Sequence, residues 1–140
     1  KAVVTPSSKE SGMKRMIVMA LAASFSMVAL AEPIDGRKRI LCTTTELQDC
    51  VAGSECLKGL PAEYGAPTSL RIDFANRQVL GEHRKSKIRD MEKSDGQILL
   101  QGREMGFGWT IGIDRKSGEM TVSLLNREGA FVLFGSCTAL

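Results

Sequence analysis

The sequence predicts an all-β protein: a small antiparallel meander of about seven or eight strands closing into an up-and-down β-barrel, with a compact β-sandwich as the alternative. Three observations carry this reading. From Thr68 onward, apolar residues recur with a period of two. The connections between these runs are short and rich in Asp, Asn, Ser and Gly, which makes neighbouring strands antiparallel. Beyond Glu32, no window sustains an apolar helical face over about ten residues.

In chain order, Arg39 to Thr45 reads as a first strand, with Thr43, Thr44 and Thr45 supplying a polar-tolerant face. Lys58 to Pro67 reads as loop, because it holds Gly59, Pro61, Gly65 and Pro67. Leu70, Ile72 and Phe74 alternate with Ser69, Arg71 and Asp73, as in a half-buried strand. Ala75-Asn76-Arg77 turns the chain into a short strand over Val79–Glu82, and Glu82–Lys93 reads as a solvated, loop-like hairpin. Four strands should follow as a meander between Gln97 and Cys137. The first carries Ile98 and Leu100 on one face, the second Phe107, Trp109, Ile111 and Ile113, and the third Met120, Val122 and Leu124. The fourth, within Gly129–Cys137, is apolar on both faces, so both should be covered. Asp114 and Gly118 bracket a turn suited to a type I geometry closed by a Gly bulge. Ser94-Asp95-Gly96 and Asn126-Arg127-Glu128-Gly129 follow the same logic. Gly102, Gly108, Gly112 and Gly135 favour the barrel, since glycine relieves crowding where coiled strands bend.

The segment before this domain reads as a cleavable signal peptide over residues 13–31. Met13, Lys14 and Arg15 form a basic start, and Ala29-Leu30-Ala31 places small residues at the cleavage positions. The apolar run is about 16 residues, against the roughly 20 a membrane span requires. Residues 1–12 read as an upstream, non-native extension, leaving residues 32–140 as a single exported domain, periplasmic or secreted, with no membrane span after cleavage. The whole chain has 19 Lys and Arg against 16 Asp and Glu. Lys1, Lys9, Lys14, Arg15 and Glu10 all precede Glu32, so the exported part carries fifteen charges of each sign. A neutral domain offers no general attraction to nucleic acid, and no nucleic-acid partner is expected.

Four cysteines in a small exported domain read as a disulfide framework. Cys50 and Cys56 flank a short Gly-containing loop, which favours Cys50–Cys56 with Cys42–Cys137; Cys42–Cys56 with Cys50–Cys137 is the alternative. Zinc is disfavoured by the absence of a Cys-x-x-Cys pair and by a single histidine, His83, and no cofactor is expected.

Catalytic signatures are sparse. His83 lies in the charged run Glu82-His83-Arg84-Lys85 with no Gly-x-Ser-x-Gly nucleophile to serve, so no catalytic residue is assigned. Gly102 to Gly108 is glycine-rich but opens no helix, and reads as a turn rather than a phosphate cradle. Arg84, Lys85, Lys87 and Arg89 form a basic stretch flanked by Glu82, Asp90, Glu92 and Asp95, as on a solvated mixed-charge surface. The candidate ligand or interface residues are Trp109, Phe107 and Tyr64. Trp109 and Phe107 share one strand face and suit a barrel core or the lining of a pocket at the barrel mouth. Tyr64, in the Pro/Gly loop, is expected at the surface as an interface anchor.

The stretch Gly108-Trp109-Thr110-Ile111-Gly112-Ile113-Asp114-Arg115-Lys116-Ser117-Gly118, ending in Phe134-Gly135-Ser136-Cys137, resembles small exported disulfide-containing β-domain proteins of proteobacteria. The early cluster Cys42, Cys50 and Cys56 fits the same picture. That group is largely uncharacterised, so the resemblance implies an exported β-domain and carries no catalytic residue across. The chain is also similar to periplasmic lysozyme inhibitors, which are small disulfide-linked β-barrels, and none of their loop residues is carried over. The expected function is a non-enzymatic barrel that binds a protein or a small ligand, with a hydrolase- or lysozyme-inhibitor-like role as one version. A structural, envelope-associated domain is the alternative, and a hydrolase ranks last.

Overall fold

A computed structural model describes residues 2–3 and 32–140. The signal-peptide reading of 13–31, and the extension before it apart from residues 2–3, lie outside the described residues. The described residues form nine strands: β1 (Ile40–Cys50), β2 (Leu57–Gly59), β3 (Ser69–Asp73), β4 (Gln78–Leu80), β5 (Lys85–Lys93), β6 (Gln97–Glu104), β7 (Phe107–Asp114), β8 (Glu119–Leu125) and β9 (Ala130–Ala139). A 3-10 turn, Pro61–Tyr64, precedes β3. Strands β3 to β9 follow one another as an antiparallel meander, and β9 returns to pair with β1 along nearly its whole length. This closes an eight-stranded barrel and leaves only β2 outside it, as a short addition to the far end of β1. Closure removes the open edges that a sandwich would leave.

The turns form for the reasons their side chains supply. Asp114 Oδ1 accepts from the amides of Lys116 (2.8 Å) and Ser117 (2.7 Å), and Gly118 follows in the left-handed region at φ 75°. Asn126 Oδ1 accepts in the same way from the amides of Glu128 and Gly129. The β6–β7 turn is tighter: Met105 (φ 47°) and Gly106 (φ 84°) are both left-handed, the signature of a two-residue type I′ hairpin.

The two ends of the barrel differ. At one end lie the β3–β4, β5–β6 and β7–β8 turns, and the interior is filled by Ile40, Ile72, Phe74, Ile98, Ile113 and Met120. The segment before β1 plugs this end. Ile34 is buried there, its amide donating to the Arg115 carbonyl at 2.9 Å while Arg115 Nε returns a bond to the Ile34 carbonyl at 3.0 Å. Lys93 Nζ donates to the Gly36 carbonyl and lies over the Phe74 ring. The disulfides are Cys42–Cys137, joining directly paired residues of β1 and β9, and Cys50–Cys56, spanning the loop before β2. Two such bonds fit an oxidising compartment. Among the described residues, no helix is long and apolar enough to cross a membrane.

Several expectations need correction. Glu82–Lys93 is mostly a nine-residue strand rather than a loop. Ile88 is its only fully buried residue, and a bulge between Ile88 and Asp90 shifts the alternation, so the period-two signal is lost. Lys58–Pro67 is not loop throughout, since β2 and the 3-10 turn fall within or across it. The outer face of β9 is not fully covered: Phe134 is 37% exposed, and among the described residues no element packs outside the barrel at that strand.

Candidate functional site

The other end of the barrel is open. Its rim consists of the β1–β3 connection, the β4–β5 connection (Gly81–Arg84), the β6–β7 turn and the β8–β9 turn. Beneath the rim the interior is unfilled, leaving a cavity of about 670 Å³. Its walls are mainly apolar, formed by Leu47, Leu70, Val79, Val122, Leu124 and Leu133. The space has a local cause. On β4, β5 and β6 the inward positions near the mouth are Val79, Ser86 and Gly102, small residues on three neighbouring strands. At the filled end the corresponding layer is made of Ile, Phe and Met.

Trp109 partly occupies that space. Its indole lies across Gly102, its direct partner on β6, and Nε1 donates to Ser86 Oγ at 2.8 Å. Ser86 Oγ in turn donates to the Arg103 carbonyl at 3.3 Å. A Cβ at Gly102 would overlap the indole and approach the Lys87 carbonyl to 2.7 Å. Gly102 therefore serves close approach of a ring, beyond the strand bending for which the sequence pointed to it. Trp109 is both core aromatic and cavity wall, so the two readings of it coincide.

Phe107 precedes Trp109 on the same inward face and also lines the cavity. Tyr64 corrects the sequence reading. It is half-buried rather than exposed, because the 3-10 turn folds it over the mouth, where its ring meets Phe131 edge-on at 6.4 Å. A side chain at Gly59 would collide with the Tyr64 ring, so the glycine on β2 clears its seat. Phe131 and Phe107 are also 6.4 Å apart. Tyr64, Phe107, Trp109 and Phe131 thus converge on one opening, and Phe131 is the aromatic that the sequence left unassigned.

Charged groups stand around the rim. The Thr68 hydroxyl and amide bond to Glu82 and hold its carboxyl below the ordinary range. His83 is exposed and lines the cavity edge. The Arg84 guanidinium lies against the Met105 sulfur. Glu104 follows Ile98, Leu100 and Gly102 on the inward face of β6, is half-buried, and sits directly opposite Phe107. Sequence reasoning missed Glu104, although continuing the alternation from Ile98 by two residues at a time reaches it. Among the described residues no cluster of three metal-ligating side chains occurs. Comparison with protein-family models, curated proteins and solved structures finds no match to this chain.

Proposed function

We propose that this chain is an exported, non-enzymatic binding protein whose barrel takes up a small, largely apolar molecule through its open mouth. The observation that carries this reading is the cavity of about 670 Å³, walled by aliphatic and aromatic side chains and open at one end. Its size falls in the range of small-molecule sites, about 300–1,000 Å³, and its make-up matches them: an apolar lining with a few placed polar groups. Export is supported by the two disulfides and by the leader-like pattern of residues 13–31.

The test uses the neutral dye Nile red. The protein should raise dye emission saturably at one dye per chain, and the emission of Trp109, the single tryptophan, should change in parallel. Val79→Phe places a larger side chain against the void and should weaken uptake about tenfold, a shift of roughly 1.4 kcal/mol, with an unchanged circular dichroism spectrum. Absence of uptake by the wild type, or equal uptake by Val79→Phe, would refute the reading.

A second reading is favoured by the position of the exposed apolar side chains. Met105 lines the mouth, and the exposed Val51, Leu57, Leu60 and Leu125 lie on connections or strand ends at the same end of the barrel. Exposed apolar side chains gathered at that end suit a protein partner seated over the opening, as in a hydrolase-inhibitor-like role. Inhibition of a lysozyme by the intact protein, lost in Leu57→Lys and Met105→Lys variants, would support that version. Undiminished lysozyme activity at saturating protein would remove it.

A further inference from the structure

We propose that the molecule held in this cavity is an organic cation, an ammonium carrying an apolar body, with its charge at the mouth between Glu104 and the surrounding aromatic rings. The inference rests on the reading of the cavity as a ligand site and adds the chemical class of the ligand. Two independent features point to it. The first is the aromatic cluster. Phe131 stands 6.4 Å from both Tyr64 and Phe107, at interplanar angles of 64° and 42°, and all three rings line the cavity. Aromatic faces carry negative potential and attract cations, quaternary ammonium groups above all.

The second feature is Glu104. It projects inward on a strand whose other inward residues are Ile98, Leu100 and Gly102, and it faces Phe107 across the hairpin. Among the described residues its carboxylate has neither an ion pair nor a hydrogen bond. A carboxylate partly withdrawn from water beside aromatic rings is stabilised by a cation. The remaining charges at the mouth are differently placed. Glu82 is occupied by Thr68, and His83 and Arg84 are exposed on the outer connection, with Arg84 against Met105. The acid is therefore inside the opening and the basic groups are on its outer lip. A ligand with its charged end at the aromatic cluster meets Glu104 first.

Three probes of equal chain length separate the alternatives: decyltrimethylammonium, decanoate and decanol, each below its micellar concentration, titrated against Trp109 emission in the intact protein. The ammonium should bind at least about tenfold more tightly than decanoate, with decanol between them. In Glu104→Gln the ammonium should lose about tenfold in affinity while decanol binding stays the same. Decanoate binding as tightly as the ammonium would overturn the proposal while leaving the cavity reading intact, as would a Glu104→Gln variant that weakens all three probes equally. Failure of all three to bind would remove the cavity reading and the proposal together.

Discussion

Removing the Cys42–Cys137 bond should cost about twice as much stability as removing Cys50–Cys56, and the difference follows from where each sits in the chain. The first closes a sequence separation of 95 residues and the second one of 6. Loop-closure entropy then assigns about 4.7 kcal/mol to the long bridge and about 2.2 kcal/mol to the short one. Packing adds to the contrast, since Cys42 and Cys137 are buried in the barrel wall and Cys56 is exposed. For a domain with a total stability of about 5–15 kcal/mol, losing the long bridge removes a third or more of it in most of that range. The assay is urea unfolding followed by Trp109 emission in two double variants, Cys42→Ala with Cys137→Ala, and Cys50→Ala with Cys56→Ala. At a slope of about 1.5 kcal/mol per molar urea, the midpoints should fall by about 3 M and about 1.5 M respectively. A mild reductant acting on the native protein should open the exposed Cys50–Cys56 bond first. Equal midpoint shifts, or a larger loss for the short bridge, would refute the reasoning, because they would mean that joining β1 to β9 does not constrain the chain as the closed barrel requires.

Gly102→Ala should destabilise by about 3 kcal/mol and shift Trp109 emission to the red, because the added methyl displaces the indole and crowds the Lys87 backbone. A wild-type-like unfolding midpoint would show that the indole does not lie across β6. Met105→Asn should raise stability by about 1 kcal/mol, since asparagine tolerates the left-handed backbone that Met105 adopts and the exposed methionine contributes little packing. Thermal midpoints decide this, and a lowered value would contradict the type I′ assignment. The amides of Ser117 and Lys116 lower the Asp114 carboxyl from its ordinary value, so its contribution is present above pH of about 4 and is lost as pH falls through the lower folded value. Asp114→Ala should accordingly be less stable than wild type at neutral pH, with the gap narrowing towards about pH 2. A gap that widens on acidification would reverse the sign of this linkage.

The barrel was legible in the sequence where one face of a strand is buried and the other meets water. Phe107 to Ile113 and Met120 to Leu124 alternate without interruption, and the turn that joins them carries the Asx acceptor Asp114 and the left-handed Gly118. Legibility failed at the bulges. On β1 the register shifts between Thr44 and Glu46, and the strand runs on to Cys50 rather than ending near Thr45. On β5 the shift after Ile88, together with outward Lys85, Lys87 and Arg89, gave a strand the composition of a solvated loop. The site was only half legible for a different reason. Trp109 and Phe107 lie on a clean strand, but an empty cavity is a property of small residues on separate strands. Val79, Ser86 and Gly102 become neighbours only through β-pairing. Tyr64 was misplaced because a single 3-10 turn, too short to show a period, decides where its ring points.

The proposed function requires a barrel that is filled at one end and receptive at the other. Amide-resolved NMR titration with decanol tests this most directly. Shifts should concentrate at Tyr64, Val79, Phe107, Trp109 and Phe131, with Ile34, Ile40 and Ile113 at the plugged end essentially unmoved. Changes spread evenly over both ends, or confined to outward positions such as Phe134, would contradict it.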